Sequence, residues 1–322
     1  MADIAMHREM ARDLIKTLDP DIVQAFDENY FTLGSQGPDP YFYRIFKKRK
    51  TAMDIGDRLH GESINLCFKT LIETIKADPS AIKLGFLFGY IAHFSLDTTI
   101  HPYVYHRVGI YQPDEPAKKK LRGLHLRFER HIDAHFLKQR YQQKPHTLAL
   151  HKTALINHEL SEEIITLLDE TLKDVYDIEH AGTIYEKGLI SMRRVLKYGV
   201  YDRFGLKKQL YRFVDLFNKK RDLCFKDLSF YGFDQQYDYL NQKETCWHHP
   251  ITNETICDSV ATLYQKAIER AKALIEAVYN HIFHQQPLTY TQTFKNRSLN
   301  TGLDCDDQRP MQYFNIYTQK RL

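Results

Sequence analysis

The sequence predicts an all-α fold, a multi-helix bundle with an additional C-terminal helical region. Three observations carry that expectation. Apolar residues recur at helical spacing along most of the 322 residues, strand-like alternation is scarce, and the near-continuous apolar run Ala81–Ile100 is too long for a strand. Apolar residues make up 43% of the chain, enough to fill a sizeable core without disorder.

Each element has its own signal. An amphipathic helix runs from Ile4 to Leu18, and a second segment, DPDIVQAFDENYF, restarts around Pro20. GPDPYFYR (Gly37–Arg44), with two prolines and a glycine, reads as a loop. Asp54–Ala77 continues as one helix until the break DPS. Ala81–Ile100 is a buried helix that Pro102 should limit, since the residue before a proline avoids the α region. A further helix covers Ala117–Gln139, and QKPH closes that block. Helices follow near Ser161–Tyr176, Thr183–Tyr198, Leu206–Asn218 and Ser259–Phe283, with Ser161 placed as an N-cap ahead of Glu163. A soft boundary near Gln143–Pro145 divides residues 1–143 from 144–322, regions that could equally pack as one domain.

Charge excludes one function class. The 45 Lys+Arg against 41 Asp+Glu leave +4, and the basic groups form short runs such as FKKRK (Phe46–Lys50) and AKKKLR (Ala117–Arg122). Such runs read as solvated faces, so no stable nucleic-acid complex is expected. No segment reaches the roughly 18–20 uninterrupted apolar residues of a transmembrane helix. The N-terminus lacks a basic n-region and an apolar h-region, which points to a cytoplasmic chain. Cys67, Cys224, Cys246, Cys257 and Cys305 are odd in number and scattered, a pattern expected of reduced thiols.

The chemistry concentrates in GYIAHFSLDTTIHPYVYH (Gly89–His106). On a helix His93 and Asp97 share one face, and His101 follows one turn on. His125 and Glu129 in GLHLRFERHIDAHF repeat the His-x-x-x-carboxylate spacing. One such pair is more often a side-chain hydrogen bond than a ligand set. Two pairs, one inside an apolar helix, point to a divalent transition metal, because imidazole and carboxylate suit it and its charge offsets lost solvation. His106, His131 and His135 read as surface or core histidines. No GxSxG or P-loop offers a competing chemistry.

In order, His7, GPDPYFY with Asp39, His60, His93-x-x-x-Asp97, His101 and His125-x-x-x-Glu129 resemble the zinc-dependent phospholipase C family. That superfamily also holds secreted single-strand nucleases, and the likeness is closest to its intracellular bacterial branch. It covers about Ala2 to Tyr141; CWHHPITNETICDS (Cys246–Ser259) and NRSLNTGLDCDD (Asn296–Asp307) resemble C-terminal features of the same branch. The resemblance implies an all-helical fold around two or three Zn2+ ions. Asp39, His60, His93 and Asp97 would hold one zinc, and His101, His125 and Glu129 a second. A third would take the Asp97 bridge, His7, and the amine and carbonyl of Ala2 once Met1 is removed. Here the histidine after Asp97 departs from the secreted relatives' spacing, which keeps His106 open as a substitute for His101.

The implied activity is a metal-dependent phosphoesterase, with Asp39 orienting or deprotonating water. Its partner would be a small phosphoester, a phospholipid or a nucleotide. Tyr41, Tyr43 and Tyr103 are candidates to line a substrate pocket, though such tyrosines more often sit in the core. The alternative is a non-catalytic helical interaction or scaffold protein with a structural or degenerate metal site. For that reading the amphipathic, aromatic stretch Tyr185–Phe217 could serve a partner helix or a homodimer.

Overall fold

Short polar side chains open five of the described helices. In the computed structural model, which describes residues 4–43, 49–111, 121, 123–155, 159–217, 225, 229–231 and 237–317, the Asp19 carboxylate accepts from Asp21 N ahead of α2 (Pro20–Gln24). Asp27 accepts from Asn29 N and Tyr30 N to begin α3 (Glu28–Gly34). Ser80, Ser161 and Ser259 do the same for α6 (Ala81–Val108), α9 (Glu162–Tyr176) and α12 (Val260–Phe283). The start of α1 (Ile4–Ile15) is held differently. Asp133 of α7 (Leu124–Tyr141) accepts from Ala5 N at 2.8 Å and Met6 N at 3.1 Å. A buried carboxylate on orphan N–H groups is both a cap and a favourable charge for the helix dipole.

Where one helix was expected over Asp54–Ala77, two occur: α4 (Arg49–Gly61) and α5 (Ile64–Ala77). Ser63 between them is left-handed, at φ 50°, and ends the hydrogen-bond ladder. GPDPYFYR is only partly loop, because Asp39–Tyr43 forms a 3₁₀ turn. The residues of Ala117–Gln139 that begin that expected helix lie largely outside the described ones, as does Cys224.

The largest correction concerns Pro102, which does not end α6. The helix continues to Val108. Proline removes one rung there, the bond that the Thr98 carbonyl would accept, and both flanks stay helical because they are buried on almost every face. Gly302 lies against that carbonyl, and a Cβ at Gly302 would come within 2.4 Å of it.

Helix α6 is the axis of the bundle. It packs most extensively against α3 and α12 and also touches α1, α5, α7 and α9. Gly34 and Gly89 let α3 and α6 meet backbone to backbone: a Cβ on either would lie 2.2 Å from a carbonyl oxygen opposite. A short α8 (Leu150–Thr153) precedes α9, and behind α9 come α10 (Ala181–Arg194), a π-helical turn (Val195–Val200) and α11 (Lys207–Phe217). Buried apolar side chains from Ile4 to Tyr317 form one continuous cluster. Phe294 stacks on Phe68 at 4.3 Å, fixing the C-terminal segment to the core.

A two-stranded hairpin, β1 (Trp247–His248) with β2 (Thr255–Ile256), is bridged by a Cys246–Cys257 disulfide. That corrects the expectation of reduced thiols for these two cysteines. Strand pairing brings their Cα atoms to 3.9 Å, a proximity that their separation along the chain did not reveal. Cys67 and Cys305 are free.

Replacing Asp133 with alanine should destabilise the fold by about 1–3 kcal/mol, because two buried N–H groups lose their acceptor. Asp133→Asn, which keeps one acceptor oxygen, should cost less. Urea unfolding followed by circular dichroism measures both; equal stability of all three proteins would show that the cap contributes nothing.

Candidate metal centre

Three helices and one turn converge beside the middle of α6. The α3–α6 seam lays the chain after Gly34 across α6, so that the Ser35 carbonyl accepts from His93 Nδ1 at 3.1 Å. Gly37 then turns with φ +47°, and Tyr185 donates to its carbonyl at 3.0 Å. Its missing side chain leaves room for the His93 ring, which a Cβ would approach to 2.4 Å. Two residues on, Asp39 enters the site at the head of its 3₁₀ turn.

The imidazoles are oriented by the backbone. His60 Nδ1 donates to Gly56 O at 2.7 Å within α4, and His101 Nδ1 donates to Leu299 O at 2.7 Å. With His93, that makes three rings whose Nδ1 carries the proton, leaving the Nε2 lone pair aimed inward.

Asp97 sits at the centre with no exposure. Its Oδ2 is 3.1 Å from His93 Nε2 and 3.7 Å from His60 Nε2, while Oδ1 is 3.2 Å from His7 Nε2. Asp39 Oδ1 is 3.5 Å from His60 Nε2 and 3.9 Å from His93 Nε2. The His7 and His93 rings stack at 4.1 Å. One turn along, Glu129 Oε1 lies 3.0 Å from His125 Nε2 and 3.4 Å from His101 Nε2. Three trios thus place their ligand atoms within 4.8 Å of one another: His7, His93 and Asp97; Asp39, His60 and His93; His101, His125 and Glu129.

Titration follows from this crowding. Burial would push the Asp97 carboxyl up, but His93 and His7 hold it well below the usual carboxylate range. Burial pushes His93 down, so it is neutral at pH 7 and has a lone pair to give. For Asp39, burial wins over the pull of His93 and His60, and its pKa goes up. Burial opposes protonation of His60, yet the neighbouring Asp39 raises it. Glu129 stays low despite burial, because His125 faces it.

The fit to a metal rests on unmet polar atoms. Nε2 of His7, His60, His93 and His101, Oδ1 of Asp39 and both oxygens of Asp97 are buried and close no hydrogen bond. Such atoms are costly in a dry site. Their spacing also matters: ligands about 2.0–2.2 Å from a tetrahedral zinc lie roughly 3.4 Å apart. The contacts around Asp97 fall near that value. The residues fit zinc.

The remaining sequence candidates separate cleanly. His106 is outside the cluster; its Nδ1 bonds Tyr313 O, and its ring lies 6.1 Å from Trp247. His131 and His135 pack on Tyr239, at 4.5 and 5.3 Å. Tyr41 and Tyr103 are in the core and not in an open pocket, with hydroxyls donated to Ala181 O and Tyr239 O. Tyr43 is half-buried and accepts from Arg130. Ala2, the candidate N-terminal ligand, lies outside the described residues. Ser35, Gly37, Gly56 and Leu299 support the site and were missed. Three of them act through backbone carbonyls, which no residue type announces, whereas the GPD turn could have singled out Gly37.

A family model described as zinc dependent phospholipase C matches residues 6–178. No curated protein and no solved structure matches the chain.

Substituting Gly37 with alanine should displace His93 and strain the turn, costing about 1–2 kcal/mol and lowering bound metal. Elemental analysis beside a thermal melt tests this. Wild-type metal content in a folded Gly37→Ala protein would contradict the placement of His93.

Proposed function

The chain belongs to the zinc-dependent phospholipase C family, whose model spans more than half of it, and from that premise we propose a metal-dependent phosphoesterase acting on phosphodiesters. The observation that carries the reading is the set of buried, unbonded Nε2 and carboxylate atoms gathered around Asp97. Asp39, His60, His93 and Asp97 would hold one zinc, and His101, His125 and Glu129 a second. His7 and Asp97, with the Ala2 amine and carbonyl after Met1 removal, would hold a third. Bound zinc supplies positive charge to phosphoryl oxygens and acidifies water.

The chain's own residues have distinct tasks. Ionised Asp97 joins the groups and keeps the histidines in register. Asp39, whose pKa is raised by burial, takes the proton of the attacking water and hands it on toward the leaving alkoxide. His60 Nε2 stands 3.5 Å from that carboxylate, close enough for both to serve one ion. Attack in line at phosphorus requires no nucleophilic side chain. The His125 side chain, 30% exposed, marks the side from which a phospholipid or smaller phosphodiester reaches the site.

Two other expectations shift. Among the described residues no helix is long and apolar enough to cross a membrane. The Cys246–Cys257 bridge removes the thiol argument for a cytoplasmic location, since disulfides persist in oxidising compartments. We also read residues 1–143 and 144–322 as one packing unit, because side chains from both join one buried cluster.

One observation favours the interaction-protein reading: α11 leaves Leu210, Phe213, Leu216 and Phe217 between 56% and 73% exposed. Metal analysis and hydrolysis of bis-p-nitrophenyl phosphate separate the two. The enzyme reading expects zinc in the purified protein and a loss of at least about 100-fold in kcat/KM for Asp97→Asn, beyond the range for outer-shell partners. Metal without hydrolysis would leave the scaffold reading standing.

Zinc affinity should fall as pH drops from about 7 to about 5, because a proton competes for each imidazole lone pair. His60 sets the sign most clearly: its raised pKa means that it holds a proton which an ion must displace. Titration with a chromophoric chelator at several pH values measures this, and an affinity flat across that range would exclude histidine ligation.

A further inference from the structure

Thr98, Thr99 and Pro102 face away from the metal ligands of α6 and border a separate cleft of about 540 Å³. Its other walls come from α12, the β1–β2 hairpin and the loop Arg297–Leu303. We propose that this cleft binds an oxyanion of the phosphate class, gripped by the guanidinium groups of Arg270 and Arg297.

Charge balance is the argument. Arg270 is half-buried, and its Nη1 donates to Thr98 Oγ1 at 2.9 Å and Thr99 Oγ1 at 3.1 Å. Those hydroxyls are neutral, and each gives its own proton to a carbonyl of α6. They position the guanidinium without neutralising it. Burial, and Arg297 beside it, lower the Arg270 pKa to about 10, which leaves it cationic at neutral pH. Among the described residues neither arginine has a carboxylate within 4.0 Å. Two half-buried like charges with no paired carboxylate are unfavourable by themselves, and an anion between them turns the repulsion into two charge-assisted contacts.

Of the other ionisable groups of the cleft, all but Glu254 are committed. Lys266 pairs with Asp258, and the Glu254 side chain is exposed. His249 is kept neutral by burial, donating Nε2 to Thr301 O while Nδ1 accepts from Ile251 N and Thr252 N. The cleft therefore offers an excess of positive charge with two forked donors, the recognition chemistry of a phosphate or phosphomonoester. The loop that carries Arg297 also supplies the Leu299 carbonyl to His101, so an anion here braces a segment that orients a metal ligand.

Titration calorimetry with inorganic phosphate, and separately with glycerol phosphate, tests the site in the protein as purified. Phosphate that binds at the metal centre contributes equally to wild type and Arg297→Gln, so the difference isolates the cleft. Arg297→Gln should weaken one binding component at least about tenfold, the worth of a charge-assisted hydrogen bond, with unchanged zinc content and circular dichroism. Arg270→Gln should remove the component, but its threonine contacts make it the variant more prone to misfold, so Arg297→Gln decides. Tighter binding of either probe supports the site and assigns the source of the phosphate. Indistinguishable isotherms for wild type and Arg297→Gln overturn the proposal.

Discussion

The burial of Asp97 is the constraint on which the rest depends. A carboxylate with no exposure, in the middle of the most apolar helix, would on desolvation alone prefer to be neutral. The neighbouring His93 and His7 pull its pKa down against that preference. Those rings cannot also neutralise each other's exposed lone pairs, so the cluster as a whole has more acceptors and lone pairs than donors. A cation resolves the imbalance. Without one, α1, α4, α6 and α7 would bring their most polar residues together at a net cost.

Placement of the imidazoles is the work of the backbone. Gly56, Ser35 and Leu299 each offer a carbonyl to a histidine Nδ1, and these carbonyls come from a helix, a post-helical turn and a C-terminal loop. The same loop returns two bonds to α4: Leu299 N and Ser298 Oγ both donate to His60 O. One segment near the C-terminus thus fixes two ligand-bearing helices relative to each other. This gives NRSLNTGLDCDD, a stretch with no role that the sequence disclosed, a structural reason for its residues: small and turn-forming groups let its backbone reach the site.

Legibility in the sequence followed the range of the interaction. The i, i+4 pairs His93–Asp97 and His125–Glu129 were readable because helical spacing alone puts them together. The Ser161 cap was readable because it, too, is local. Pro102 misled because local propensity was outweighed by burial on both sides, a tertiary effect. The Cys246–Cys257 pairing and the choice of His101 over His106 depend on how the last third of the chain folds back, since Leu299 O takes one histidine and Tyr313 O the other. Asp39 was recognisable only through the order of the motifs; by itself GPDP is a turn.

These relations would couple metal binding to the stability of the native arrangement. The candidate ligands are spread over five segments from His7 to Glu129. In an unfolded chain no such array exists, so whatever free energy a metal contributes at Asp97 is stabilisation of the native arrangement. Removing the ion would leave the apolar seams, such as that of Gly34 on Gly89, intact, while freeing the polar atoms that face the centre. The apolar bundle therefore sets where the ligands stand, and the ion sets whether that placement is favourable. Both are needed because the fold puts charge where packing alone would exclude it.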